Sequence, residues 1–358
     1  MESRFSSPPT PVDSAPNTVA NNRILLAVAS FVMMLLVGVI VVVILLLRDT
    51  SVSQPALNQS PVPIGSDFTG HVSDLKGGTV STRSLKGLTM RINQIDTCNP
   101  KIVSAFVAVS SDAGQVNKNF GKGDVKVYLD GKQVTNFDFA SVNTAKLPLA
   151  NIMVIDHSGS MRGVAMDTAK SAAATYISRL LPNDQVGVIQ FDTSVDVLVA
   201  VSTDKAKAQS AIQGISARGD TALYDALSSA VGSVPNCGRK AITVLTDGED
   251  TASKTSSVDS VIAEASKVNI PIFAVGIKSA GYDSSNIRKI SEATGAQYLE
   301  ANTPQEISDL YGKIDGQLTG QFAANLHISL PKDGSTHTLK IISTVEGSDT
   351  QSERTFVY

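Results

Sequence analysis

Cysteine is nearly missing from this chain: only Cys98 and Cys237 occur in 358 residues. That excludes a small disulfide-built scaffold and any zinc site made of thiolates. One bridge or two separate thiols both stay open. Basic clusters are missing as well. The net charge is −3 and no run of Lys and Arg is of the kind that tracks phosphates, so the sequence argues against a nucleic-acid partner. No internal repeat is found. Charge is absent altogether from Ile24 to Leu47, where only Ser30 and Gly38 interrupt a series of apolar residues.

That charge-free stretch reads as a membrane span. At about 1.5 Å per residue it reaches roughly 36 Å, enough to cross a hydrocarbon core of about 30 Å with some tilt. It is too long for a signal peptide, and no small-x-small cleavage site follows Arg48. A buried soluble helix would need a polar stripe, and there is none. Arg4 and Arg23 precede the span and Arg48 follows it, so the positive-inside bias is marginal. The expected arrangement is a single-pass anchor, with the short tail in the cytoplasm and the C-terminal portion outside the cell's cytoplasm. The reverse orientation is the alternative.

With 42% hydrophobic residues the chain has material for a full core and length for two folded units. Residues 1–22 are rich in Ser, Pro, Asn and Thr and read as a disordered tail. Residues 23–48 hold the span, and 49–80, with Pro55, Pro61 and Pro63, read as a flexible stalk. From 81 to 147 the texture turns to short alternating runs: Leu88 to Ile95, Ile102 to Val109 and Val125 to Leu129, with a hairpin signal at Asp130-Gly131. The same texture returns over 321–358, in Leu326 to Leu330, His337 to Val345 and Arg354 to Tyr358. We expect the two flanks to pair into one immunoglobulin-like β-sandwich with an α/β domain, residues 148–320, inserted between them.

In that domain strands and helices alternate. Leu149 to Asp156 reads as a central parallel strand covered on both faces. Gln185 to Phe191 and Val195 to Val201 follow as an antiparallel edge hairpin, then Ala241 to Leu245, Pro271 to Val275 and Gln297 to Glu300. Helical spacing appears in Ala165 to Leu181, in Leu223-Ala226-Leu227-Ala230-Val231, in Val258-Val261-Ile262-Ala265 and in Ile307-Leu310-Tyr311-Ile314. The expected fold is a doubly wound, mostly parallel sheet of six strands. Ligands of such sheets bind at the carboxyl ends of the strands.

At that edge stands Asp156-His-Ser158-Gly-Ser160. Alone, this run is more often a helix N-cap. Two further loops alter the balance: Gly219-Asp-Thr221 opens a helix, and Leu245-Thr-Asp247-Gly follows a strand. Together the three resemble the metal-ion-dependent adhesion site of von Willebrand factor type A domains, found also in integrin inserted domains. The match falls on Asp156, Ser158 and Ser160 in the first loop, Thr221 in the second and Asp247 in the third. The resemblance implies a divalent cation held by these five residues, with a position left for an Asp or Glu of a protein partner. An all-oxygen donor set favours a hard cation, Mg²⁺ first, then Mn²⁺ or Ca²⁺. Asp225, one helical turn past Thr221, is expected as a hydrogen-bond acceptor behind the ligands.

His157 invites a hydrolase reading with Ser158 and Asp247, but Gly-x-Ser-x-Gly is missing and a serine on a metal is a poor nucleophile. No enzymatic activity is expected. Asp220, Glu249 and Asp250 read as solvated loop acids, and the Arg218-Gly219-Asp220 tripeptide as part of the second loop. Cys237 precedes a strand and so lies at the end of the sheet away from the metal, where both connections to the sandwich leave. A Cys98–Cys237 bridge between the two units follows as a hypothesis. The function expected from all this is a membrane-anchored, extracytoplasmic module that binds another protein through a metal. A scaffold subunit with a structural or unused metal site is the alternative.

Overall fold

The computed structural model describes residues 80–83, 88–111, 120–278, 282–345 and 348–358. The expected tail and membrane span, and the stalk up to residue 79, lie outside the described residues. Among the described residues no helix is long and apolar enough to cross a membrane.

In chain order the strands are β1 (Val80–Arg83), β2 (Leu88–Asp96), β3 (Val103–Ser111), β4 (Val125–Leu129), β5 (Lys132–Val134), β6 (Phe137–Ser141), β7 (Leu149–Asp156), β8 (Gln185–Phe191), β9 (Val195–Ser202), β10 (Arg239–Thr246), β11 (Ile272–Ile277), β12 (Tyr298–Ala301), β13 (Phe322–Leu326), β14 (Thr336–Val345) and β15 (Ser348–Val357). The helices are α1 (Val164–Arg179), α2 (Lys205–Gln213), α3 (Leu223–Ser233), α4 (Val258–Lys267), α5 (Ser285–Ala293) and α6 (Ile307–Thr319).

The central unit is a sheet of order β12-β11-β10-β7-β8-β9. Every pairing is parallel except β8 with β9, the edge hairpin. All eight residues of β7 are buried, and the pleat sends them alternately into two cores. Leu149, Met153 and Ile155 pack against α1, α2 and α6. Ile152 and Val154 pack against α3, α4 and α5. A strand so placed has to be apolar on both sides, and this is why its one acid, Asp156, falls at the tip. Asn151 is the polar exception within it. Its Nδ2 donates to Tyr176 Oη at 3.0 Å and its Oδ1 accepts from Thr243 Oγ1 at 3.2 Å, so the buried amide is satisfied.

The flanking segments form two antiparallel sheets, β1-β15-β14-β4-β5 and β2-β3-β13-β6. Strands from before and after the central unit interleave in both: β13 sits between β3 and β6, and β14 pairs with β4. One apolar core lies between them, with Met90, Ile92, Val107 and Phe322 from one sheet and Val127, Leu339, Ile341 and Phe356 from the other. The returning strand starts earlier than the sequence suggests, at Phe322 rather than Leu326. Its Ala-rich pattern carries little apolar signal, and its place is set by the partners it fits between. Phe322 stacks on Phe139 with centroids 5.2 Å apart.

The two units meet at the end of the central sheet opposite Asp156, through a buried polar seam. Gln94 Nε2 donates to the Gly238 carbonyl at 2.7 Å and its Oε1 accepts from the Lys240 amide at 2.9 Å. Asn93 Nδ2 donates to the Gly295 carbonyl at 2.8 Å, while Gln321 Nε2 donates to Asn93 Oδ1 at 3.0 Å. Arg354, 2% exposed, donates from Nη1 to the carbonyls of Ile92 and Asn93. Cys98 and Cys237 are bonded across the same seam with Cα atoms 5.7 Å apart, within the span a disulfide accommodates. The bridge closes a sequence separation of 139 residues. Cys98→Ser with Cys237→Ser is therefore expected to lower stability by about 2–5 kcal/mol. Urea midpoints that coincide for the double variant and the oxidised parent would rule this out.

Candidate metal centre

Three loops converge at the carboxyl edge of the central sheet. The first leaves β7 at Asp156 and turns through a 3₁₀ segment, Gly159–Met161, before α1. Asp156 is fully buried; its Oδ1 accepts from the Ser158 amide at 2.8 Å and its Oδ2 from Thr246 Oγ1 at 2.6 Å. Ser158 Oγ lies 3.1 Å from Ser160 Oγ, and Ser160 Oγ donates to Asp247 Oδ1 at 2.7 Å. The second loop brings Thr221, buried, to the same point. A Cβ on Gly248, the neighbour of Asp247, would lie 3.3 Å from Thr221 Oγ1. The five residues read from the sequence as one set are thus brought together.

Burial is the electrostatic theme of the cluster. It pushes the Asp156 carboxyl up to about 6, against the hydrogen bonds from Ser158 and Thr246 that favour the charged form, and nearby Asp247 adds to the rise. Burial raises Asp247 too. Two desolvated carboxylates side by side disfavour their own charge, and a cation between them would reverse that. Among the described residues no Lys or Arg is ion-paired with Asp156. No group of three or more His, Cys, Asp or Glu gathers among them either, because three of the five donors here are hydroxyls. The set can accommodate a hard, oxygen-seeking dication, with two carboxylates for charge and three neutral oxygens that leave the ion electrophilic.

A latch that the sequence reading missed holds the second loop in place. Asp192, in the β8–β9 turn, accepts from the Ser194 amide and hydroxyl and from Arg218 Nε at 3.0 Å, while its backbone carbonyl accepts from the Ala222 amide at 2.7 Å. Burial acts to raise this carboxyl, but the bonds from Ser194 and Arg218 outweigh it and hold it below the usual range. Gly219 is left-handed at φ +69°, and a Cβ there would lie 2.9 Å from Thr193 Oγ1. Its carbonyl accepts from the Gly159 amide at 2.9 Å, tying second loop to first. The glycine of the Arg-Gly-Asp tripeptide is thus required by the loop itself.

Among the described residues Asp225 bonds to the chain after Asp247 and not to the five donors. It accepts from the amides of Lys254, Thr255 and Ser256 and from Thr255 Oγ1 at 2.7 Å. It fixes the chain after Asp247, and Thr251 in that chain reaches Thr221: Thr251 Oγ1 accepts from the Thr221 amide at 3.1 Å, and the Thr251 amide donates to the Thr221 carbonyl. Burial acts to raise the Asp225 carboxyl, but these donors hold it down at about 2. Because the folded value is depressed, the stabilisation is present above the unfolded value of about 3.9 and lost as pH falls through about 2. Asp225→Ala should cost about 1–3 kcal/mol at neutral pH and deprotect the 254–256 amides in hydrogen exchange. Unaltered exchange there would refute this role.

The remaining acids have other tasks. Glu249 Oε1 accepts from the Asp283 amide at 2.8 Å, and Asp250 Oδ1 accepts from the Tyr224 amide and the Ser253 hydroxyl. Asp220 is exposed, its amide bonded to Thr193 Oγ1. His157 faces away from Ser158: Nδ1 is 2.9 Å from the Ser216 carbonyl and Nε2 is 3.9 Å from Asp192. A second Ser-His-Asp alignment lies in the flanking sheets, with Ser335 Oγ 2.9 Å from His337 Nε2 and His337 Nδ1 2.8 Å from Asp130. The Ser335 amide is bonded to Asp333, and that of Gly334 to the Tyr358 carbonyl, so neither is free to form an oxyanion hole.

The family model of the von Willebrand factor type A domain matches residues 152–313. The chain carries a von Willebrand factor type A (vWA) domain. The chain is similar to inter-alpha-trypsin inhibitor heavy chain H2 of Mus musculus, 26% identical over 287 residues, which cover 74% of this chain and 29% of that protein. Human inter-alpha-trypsin inhibitor heavy chain H4 is 31% identical over 202 residues, 50% of this chain and 21% of that one. The chain spans less than half the length of the curated relatives it matches. Among solved structures, a von Willebrand factor type A protein from Catenulispora acidiphila is 14% identical, with a TM-score of 0.43 over 80% of this chain and 75% of that one. The vWA domain accounts for the six-stranded mixed sheet, and the matched segment contains all three loops at its edge.

Proposed function

We propose that this protein is a membrane-anchored, extracytoplasmic recognition module whose vWA domain captures an Asp or Glu of a protein partner through a divalent cation. The observation that carries it is the convergence of Asp156, Ser158, Ser160, Thr221 and Asp247, from three loops, into one cluster of oxygens whose two carboxyls are buried. Mg²⁺ is the ion that best suits such a set, with Mn²⁺ and Ca²⁺ behind it. Bound there, it supplies an electrophilic position that a partner's carboxylate can fill. The latch at Asp192 and the brace at Asp225 keep the loops in register for it.

The oxygen set binds and does not turn over. His157 is engaged with the Ser216 carbonyl, and Ser158 Oγ is paired with Ser160 Oγ. The flanking two-sheet unit serves as an immunoglobulin-like support, and the Cys98–Cys237 bridge suits an oxidising compartment outside the cytoplasm. Isothermal titration with Mg²⁺ and Mn²⁺ tests the metal part directly. One site is expected in the parent chain, lost in Asp156→Ala and weakened at least tenfold in Thr221→Ala. Failure of the parent to take up either ion ends the proposal.

A further inference from the structure

Arg162 stands beside the five oxygens, and none of the relations described so far employs it. It follows the 3₁₀ turn of the first loop, and its guanidinium folds back over Gly159: a Cβ placed there would lie 3.8 Å from both Cζ and Nη1 of Arg162. Gly159 separates Ser158 from Ser160, so this cation sits next to two of the donors. The side chain is exposed. Among the described residues it makes no ion pair or hydrogen bond.

The other charges on the rim set its polarity. In the sheet order β12-β11-β10-β7-β8-β9, Glu249 and Asp283 belong to the loops after β10 and β11, on one side of β7, and are joined to each other. On the other side Arg218 is committed to Asp192, with Asp220 exposed beside it. Arg162 is left as the cation without a counter-charge at the first loop. A carboxylate arriving near it meets a planar fork of donors, and docking a partner over it removes the water that would weaken the pair.

We propose that Arg162 is a second anchor for the partner, taking a carboxylate adjacent to the one the metal holds, so that the favoured ligand is a protein segment with two neighbouring acidic residues. This rests on the metal-dependent reading above. The acids Glu249 and Asp283 disfavour a second carboxylate on the β10 side, so the partner's second acid is favoured on the side of Arg162.

The test uses the full-length chain and two fluorescent peptides of equal length, one with a single Asp among glycines and one with Asp-Asp, titrated by anisotropy in Mg²⁺. The Asp-Asp peptide is expected to bind about tenfold tighter, as a charge-assisted pair implies. Arg162→Gln should bring its affinity down to that of the single-Asp peptide, and Arg162→Glu should push it below. Equal affinities in the parent chain, or a preference that persists in Arg162→Gln, overturns the proposal while leaving the metal reading intact. Binding of either peptide that persists in EDTA overturns the metal reading itself. Binding of neither peptide overturns the second-anchor proposal, and ion titration of the parent against Asp156→Ala then shows whether the metal reading falls with it.

Discussion

Gly295→Ala should destabilise the protein by about 2–5 kcal/mol, the sum of a left-handed backbone that L-residues resist and an overpacked buried contact. Gly295 sits at φ +85°, where a Cβ would overlap Arg354 Nη1 and lie 3.0 Å from the Asn93 carbonyl oxygen. The guanidinium has nowhere to go. It is sealed between the two units and donates to the Ile92 and Asn93 carbonyls, and its burial already lowers its pKa to about 10. Arg354→Ala alone should also be costly, since it leaves those carbonyls short of a donor. The double variant should cost clearly less than the sum, because truncating Arg354 relieves the overlap. Urea unfolding of the three variants decides it: strict additivity, or a Gly295→Ala cost below about 1 kcal/mol, would show that the seam is not packed as described.

The second large effect concerns Asp156 and pH. Its folded carboxyl is raised to about 6 from 3.8, so between those values the native state holds a proton that the unfolded state has released. The contribution of this group to the stability of the metal-free protein is therefore fully present below about 3.8 and is lost as pH rises through about 6, by about 3 kcal/mol, opposite in sign to that of Asp225. A dication inverts the balance by stabilising the charged form. Mg²⁺ at 100 times its Kd should return about 2.7 kcal/mol at neutral pH, and distinctly less at about pH 5, where protons compete for the same carboxylates. Thermal unfolding with and without Mg²⁺ at both pH values checks this. Asp156→Asn should remove the loss between about pH 4 and pH 6 in the metal-free protein and abolish the Mg²⁺ response. A parent Tm that ignores Mg²⁺ at both pH values would contradict it.

Much of the vWA unit was legible because its signals are local. A seven-residue run, apolar but for Asn151 and capped by an acid, belongs in the middle of a covered sheet, and β7 is there. The long helices showed their buried faces in their spacing. Two short helices, α2 and α5, went unread. In α2 only Ala208 and Ile212 are buried, too few positions for a period to emerge. In α5 the buried set is Ile287, Ile290 and a serine. Strand β6 was missed for a similar reason, with only Phe137 buried among its residues.

The candidate site divides the same way. Sequence alone determined the identity and chain order of the five oxygens and the two cysteines, because each stands beside a strand end that its own neighbours define. Tertiary structure decided what those residues do to one another. Ser160 meets Asp247 across 87 residues and Thr246 meets Asp156 across 90, and the cost of desolvating two carboxyls together exists only once the strands are side by side. It also supplied the donors that Asp225 accepts from, in residues 254–256, and gave Arg354 a place in a seam 261 residues from the carbonyl it serves. Local patterns fix which face of an element is buried, but hydrogen-bond partners and electrostatic environments are properties of pairs, and the pairs here are made by the sheet order.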